Sequence, residues 1–141
     1  MKKTIQSYKI LLLILLSFFS FFINYYYGNI GVFPIDTFAF FDTGYNILID
    51  RHPFRDIWIT SGFLVDYIQA AFFAIFGLQW SSAVIHASII NLLVSTLFYL
   101  ILIKHGLNVS LSFFYSISFS ILCYTVSGTP FAYIHSYAIS L

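Results

Sequence analysis

Long apolar stretches separated by short polar regions dominate this 141-residue chain. Residues 10–27 form eighteen consecutive positions without a charge, and at about 1.5 Å per residue a helix of that length matches the ~30 Å hydrocarbon thickness of a bilayer. Residues 82–103 and 109–126 are two further apolar stretches of similar length. The pattern predicts an all-α, polytopic transmembrane helical bundle that forms a single membrane domain and crosses the bilayer at least three times.

The first apolar stretch is predicted to be an uncleaved signal anchor. Three basic residues precede it, namely Lys2, Lys3 and Lys9, and positive charge favours the cytoplasmic side. A cleavable signal peptide shares this pattern, but cleavage requires small residues where this chain has Asn24 and three tyrosines. We therefore expect a cytoplasmic N-terminus and an extracytoplasmic loop over residues 28–61.

That loop is the most polar part of the chain and is interrupted by glycine and proline. Within it, residues 37–49 have helical spacing, with one apolar stripe formed by Phe38, Phe41, Tyr45 and Leu48. The spacing predicts a short helix lying on the membrane surface.

Residues 62–77 are somewhat short for a span and include Asp66 and Gln69. Lys104 and His105 follow the 82–103 helix, and positive residues there favour a cytoplasmic end. On that topology residues 62–77 do not cross and form an interfacial helix. The alternative topology makes residues 62–77 a short span and leaves Lys104 outside.

The end of the chain indicates a truncated architecture. On the preferred topology residues 109–126 return to the outer face. A further apolar run begins at residue 131 and stops at Leu141, which is too little length to span. We therefore expect the chain to be the N-terminal fragment of a longer protein.

Composition agrees with a membrane setting. The chain is 60% hydrophobic and 8% charged, whereas soluble domains carry roughly 25% charged residues. The net charge of +1 supplies no field for nucleic acid, so the lipid bilayer is the expected partner. The single Cys123 excludes an internal disulfide, and the sequence does not indicate an oligomeric state.

An ordered set of motifs follows the first span: Asp36, a GYNIL helix, an HPFRDIW stretch beginning at His52, and a GFL helix that ends in Phe-Gly at residue 77. This set resembles the first extracytoplasmic loop of membrane glycosyltransferases with the GT-C fold, including the protein mannosyltransferase and aminoarabinose transferase group. The resemblance extends over the whole chain but covers only the first quarter to third of such an enzyme. Phe63 stands where the family usually has proline.

The resemblance implies that Asp36 is the catalytic carboxylate. It would accept the proton of an acceptor hydroxyl or amine while a sugar leaves its polyprenyl-phosphate donor. Neighbouring phenylalanines would exclude water from Asp36 and strengthen it as a base. The alternative interpretation is that Asp36 caps the surface helix.

Four further residues are candidates for substrate binding: Arg55, Arg51, Asp66 and Tyr45. A guanidinium offers a planar fork to phosphate oxygens, which suits the donor's headgroup. The alternative is that Arg51 and Arg55 form solvated pairs with the neighbouring aspartates or contact lipid headgroups. Asp66 is notable because a carboxylate at membrane depth is usually paired or placed at a site, although it could also reach back to the interface.

No cofactor is predicted. His52, Asp42 and Asp56 carry groups that suit a divalent metal, but no His-x-x-x-His or paired-Cys spacing supports such a site. Polar residues in the 82–103 helix, His86, Ser88, Asn91 and Ser95, are expected to form interhelical hydrogen bonds.

Two functional hypotheses follow. The first is a glycosyltransferase, or its N-terminal part, acting on a polyprenyl-phosphate sugar at the extracytoplasmic face, with the 141-residue chain inactive alone. The second is a small non-enzymatic polytopic protein, such as an assembly subunit or a transporter fragment.

Overall fold

A computed structural model describes residues 2–31, 34–59, 62–124, 128–130 and 135; the side chains of residues 2–5, 34–37 and 124 lie outside the described part. The described residues form five helices and no strand: α1 (Lys2–Gly28), α2 (Pro34–Leu48), α3 (Phe63–Phe76), α4 (Trp80–Lys104) and α5 (Val109–Tyr124). The all-α prediction is therefore confirmed for this part of the chain.

Helices α1 and α4 form an antiparallel pair. At one end the indole Nε1–H of Trp80 donates to the carbonyl of Gly28 at 2.8 Å, and at the other the hydroxyl of Tyr99 donates to the carbonyl of Lys9 at 3.3 Å. Residues 6–28 of α1 and the whole of α4 are long and apolar enough to cross a membrane. Length and composition alone support this statement, and they suggest association with a membrane.

Helix α5 packs against both α1 and α4. The Asn91 amide in the middle of α4 donates to two backbone carbonyls, that of Ser20 in α1 at 2.9 Å and that of Ser120 in α5 at 3.1 Å. One face of α5 consists of the buried serines Ser112, Ser116 and Ser120, and small residues allow helices to approach closely.

The distribution of polarity in this bundle is the reverse of that in a water-soluble protein. Serine, asparagine and histidine side chains occupy interior positions, while many leucine, isoleucine and phenylalanine side chains are exposed around the helices. An apolar solvent would make that exterior favourable, and interior groups such as Asn91 and Ser88 find hydrogen-bond partners inside the bundle.

Helices α2 and α3 pack together beside the N-terminal half of α4. The rings of Phe41 in α2 and Phe73 in α3 lie 4.6 Å apart, edge to face. Gly44 brings α2 close to α3, because a Cβ at this position would lie 3.0 Å from Cγ of Gln69. Gly77, with a φ of +86°, ends α3 and turns the chain into α4.

The predicted helices are present with small changes at their ends. The surface helix predicted at 37–49 is Pro34–Leu48, the 62–77 helix is Phe63–Phe76, and the 82–103 helix is Trp80–Lys104. Helix α5 is described to Tyr124, so residues 125 and 126 of its predicted range lie outside the described residues. The same holds for the run predicted from 131 to 141, apart from His135.

Candidate functional site

A network of polar side chains joins the segment after α2 to the beginning of α3. We call it the loop cluster, and its members are Asp50, His52, Arg55, Asp56 and Tyr67. The Asp56 carboxylate accepts two hydrogen bonds, from the backbone N–H of His52 at 2.8 Å and from Nε of Arg55 at 2.6 Å. The guanidinium of Arg55 also donates to the backbone carbonyl of Asp50. These bonds fold the segment from residue 50 to residue 56 back on itself.

The charges in the loop cluster stabilise each other. The hydrogen bond to Asp56 raises the pKa of Arg55 above its usual value. The pKa of the Asp56 carboxyl is lowered below its usual value of 3.8. The larger cause is the hydrogen bond from the backbone N–H of His52, and the second is the hydrogen bond from the Arg55 guanidinium. Both groups are exposed to solvent, so their pairing orders the loop more than it stabilises the whole fold.

His52 connects Asp50 with Tyr67. Its Nε2 lies 3.0 Å from a carboxylate oxygen of Asp50, and its Nδ1 lies 2.9 Å from the hydroxyl of Tyr67. Because an ionised carboxylate only accepts, Nε2 is assigned the proton, and in a neutral ring Nδ1 then accepts the hydrogen bond from Tyr67. The imidazole and phenol rings are stacked with their centroids 5.9 Å apart. A chain of carboxylate, imidazole and phenol is chemically able to accept and pass on a proton.

The predicted catalytic residue Asp36 lies in the first turn of α2. The helix begins at Pro34, the first-turn position that proline favours, so Asp36 is inside the helix and does not precede it. This position does not fit the N-cap alternative, because an N-cap residue precedes its helix. The side chain of Asp36 lies outside the described residues, and its role as a base stays a prediction.

The four substrate-binding candidates occupy three different environments. Arg55 belongs to the loop cluster, where its Nε and one terminal nitrogen are already engaged. Arg51 is exposed and lies between the loop-cluster residues Asp50 and His52 in the sequence. Tyr45 is exposed on α2. Asp66 lies on the buried face of α3 and therefore does not reach back to solvent.

Asp66 belongs to a second polar group, inside the bundle. On the same face of α3, one turn later, Gln69 places its Oε1 2.9 Å from Nδ1 of His86, and Nε2 of His86 lies 3.1 Å from Nε2 of His135. Both carboxylate oxygens of Asp66 are buried without a hydrogen-bond partner among the described residues. A buried carboxylate without partners costs free energy, which is a common property of functional positions.

The interhelical bonds predicted for α4 are confirmed for His86, Ser88 and Asn91. The Ser88 hydroxyl accepts from the side-chain amide of Asn24 at 3.0 Å. The hydroxyl of Ser95, in contrast, is buried without a partner in the part of the chain that the structure describes. Within that same part, no group of three histidine, cysteine or acidic residues is arranged to hold a metal ion.

Sequence reasoning did not identify Tyr67 as a partner of His52. The two residues are fifteen positions apart and belong to different elements, so neither helical nor strand spacing relates them. The only sequence feature that could have indicated a polar contact at Tyr67 is its position next to Asp66 in a mostly apolar helix.

Comparison with known proteins gives no relative. No family model, no curated protein and no solved structure matches this chain.

Proposed function

We propose that this chain is a polytopic membrane protein and a glycosyltransferase or its N-terminal part. The enzyme transfers a sugar from a polyprenyl-phosphate donor to an acceptor at the extracytoplasmic face. Helices α1, α4 and α5 cross the bilayer, the N-terminus is cytoplasmic, and α2, α3 and the loop cluster lie on the outer side.

The observation that supports this proposal is the order of the motifs along α2, with Asp36 in the first turn of the helix and the loop cluster after its end. Helix α2 packs on α3. A short turn after α3 leads to Trp80 at the start of α4, and Trp80 donates a hydrogen bond to Gly28 at the end of α1. Transfer from a lipid-linked donor requires a carboxylate, a free arginine and helices that cross the membrane, and Asp36, Arg51 and the pair α1 and α4 are the candidates for these roles.

The proposed chemistry is an inverting displacement at the anomeric carbon. Asp36 accepts the proton of the acceptor hydroxyl or amine, and the carrier phosphate leaves with the bonding electrons. Positive charge stabilises the leaving phosphate. Arg51 is the better candidate for this contact, because Arg55 is occupied by Asp56 and by the carbonyl of Asp50.

A pair of isosteric variants in the complete enzyme tests the proposal. Asp36→Asn removes the base and should abolish sugar transfer at unchanged expression. Asp42→Asn is the matched control, because Asp42 is an exposed carboxylate of the same helix that contacts Asn46 at 3.2 Å, and it should leave transfer near normal. Near-normal transfer by Asp36→Asn would remove this residue from the mechanism and favour the non-enzymatic alternative.

An accessibility assay tests the topology separately. In a variant whose native Cys123 is replaced by serine, a single cysteine is placed at Asn46 or at Lys104. A membrane-impermeant thiol reagent applied from outside should label position 46 and not position 104. Labelling of position 46 only from the cytosol would contradict the proposal.

A further inference from the structure

Two aromatic side chains are exposed together in the connection between α2 and α3. Phe54 and Trp58 are 64% and 84% exposed, and we call this pair the aromatic tip. Phe63 and Leu64, in the first turn of α3, are 54% and 48% exposed. The rings of Phe54 and Trp58 contact each other edge to face at 6.2 Å. Single exposed apolar residues are ordinary, whereas a group of them marks a surface that meets something other than water.

The backbone holds the aromatic tip in an unusual conformation. Phe54 has a φ of +64°, in the left-handed region that a bulky side chain rarely adopts. Its N–H donates to the carbonyl of Ile57 at 2.9 Å, which closes a tight turn. Ile59 is buried while Trp58 next to it points outward. The loop therefore directs its indole and phenyl rings away from the protein interior.

The packing of α3 on α4 determines where the aromatic tip lies. The contacts of α3 fall at one level of α4: Oε1 of Gln69 lies 2.9 Å from Nδ1 of His86, and Val65 packs with Ala87. That level is about 10 Å along α4 from its Trp80 end. The start of α3, and the aromatic tip that precedes it, therefore lie near the N-terminal end of α4 and not beside its middle.

The charges near the aromatic tip suit a boundary between water and hydrocarbon. Arg55 lies between the tip residues Phe54 and Trp58 and is paired with Asp56 at 2.6 Å and with Asp50 at 3.9 Å. The exposed Arg51 adds a cation close to these pairs. Tryptophan and arginine are the side chains that favour the headgroup region, where the ring meets acyl chains and the cation meets phosphate.

We infer that the aromatic tip inserts into the boundary between headgroups and acyl chains of the adjoining leaflet and anchors the α2–α3 unit to the bilayer. The occupant of this surface is membrane lipid. Lipid contact explains the exposed rings, the paired charges and the position of the tip near the N-terminal end of α4. The inference depends on α4 lying in a membrane and not on sugar transfer.

Tryptophan fluorescence gives a direct test, since the chain contains only two tryptophans. The Trp80→Phe variant leaves Trp58 as the single reporter. It is reconstituted in phosphatidylcholine vesicles that contain lipids brominated either near the glycerol backbone or near the end of the acyl chain. We expect blue-shifted emission, strong quenching by the shallow bromines, weak quenching by the deep bromines and little quenching by aqueous acrylamide.

Two other outcomes would overturn the inference. Red-shifted emission with efficient acrylamide quenching would place Trp58 in water. Blue-shifted emission without bromine quenching would show that Trp58 is covered by protein, either another copy or another chain.

The reciprocal variant Trp58→Phe is the control. It reports Trp80, which is half-buried and bonded to Gly28, and should show a different depth profile. If Trp80→Phe does not fold, the difference between the wild-type signal and the Trp58→Phe signal supplies the quenching of Trp58.

Discussion

The backbone of Gly28, at the end of α1, lies directly against the backbone of Gly128, in the segment after α5. A Cβ on Gly28 would lie 2.8 Å from the carbonyl oxygen of Gly128 and 2.7 Å from Cγ1 of Val84. A Cβ on Gly128 would collide with the Cα and the nitrogen of Gly28. The end of α1 is therefore fixed on two sides at once.

We expect Gly128→Ala to destabilise the bundle strongly, by about 2 kcal/mol or more. The substitution adds a methyl group where backbone is already in contact, and it does so at a φ of +63° that favours glycine. Thermal unfolding in detergent, followed by tryptophan fluorescence, measures the loss.

Gly31→Ala is the matched control for this prediction. A Cβ at Gly31 would meet nothing within 4 Å, so its unfolding temperature should stay close to that of the wild type. Equal stability of the two alanine variants would show that the contact between Gly28 and Gly128 is absent.

Asn91→Ala should weaken the association of three helices. The side chain is buried and bonds to α1 and α5 together. Interhelical hydrogen bonds in membranes contribute ~0.6 kcal/mol on average and up to about 1.7, so the loss of two bonds and of packing should cost about 1 to 3 kcal/mol. Leu93→Ala, at an exposed position of the same helix, should cost much less in the same unfolding assay.

The helices themselves could be predicted from the sequence, because apolar length and glycine or proline interruptions mark their ends. The orientation of α2 could not. Phe38, Phe41, Tyr45 and Leu48 were placed on one apolar stripe, yet three of them are exposed, and Phe40, Thr43 and Gly44 form the buried face. In an almost wholly apolar helix, periodicity does not distinguish the side that meets protein from the side that meets lipid.

The loop cluster should open at low pH. The pKa of Asp56 is lower in the folded loop than its usual value of 3.8, so the unfolded loop binds the proton more tightly. The stabilisation is therefore present above about pH 4 and is lost as the pH falls through the folded-state pKa. Hydrogen exchange of the His52 amide, measured by mass spectrometry across this range, should show the loss of protection.

Asp56→Asn is the comparison for the acid-dependent opening. The variant lacks the titrating group, so its protection should be weaker at neutral pH and should no longer change below pH 4. Persistence of the full acid transition in this variant would assign the opening to another group.

Asp66→Asn should stabilise the folded protein. Both oxygens of Asp66 are buried without a described partner, and a neutral amide is less costly to bury than a carboxylate. We expect a gain of roughly 1 to 3 kcal/mol in thermal unfolding at neutral pH. Asp42→Asn, at an exposed position, should leave the stability unchanged, and a clear decrease for Asp66→Asn would show that the carboxylate has a partner in the folded protein.

The polar contacts of the candidate site were less predictable than the helices. Arg55 and Asp56 are neighbours in sequence, and their pairing was one of the alternatives considered. The contact of His52 with Tyr67, and that of Gln69 with His86, depend on how α2, α3 and α4 pack. Tertiary packing brings these side chains together, and such contacts cannot be predicted from local residue spacing.

The row of serines on the inner face of α5 has a practical consequence for protein engineering. Ser112, Ser116 and Ser120 face the neighbouring helices, while Leu111, Phe114 and Leu122 face outward. Recoding the outward residues as charged ones would leave the interior contacts untouched. The outward face of α5 can therefore be redesigned independently of the contacts that join it to α1 and α4.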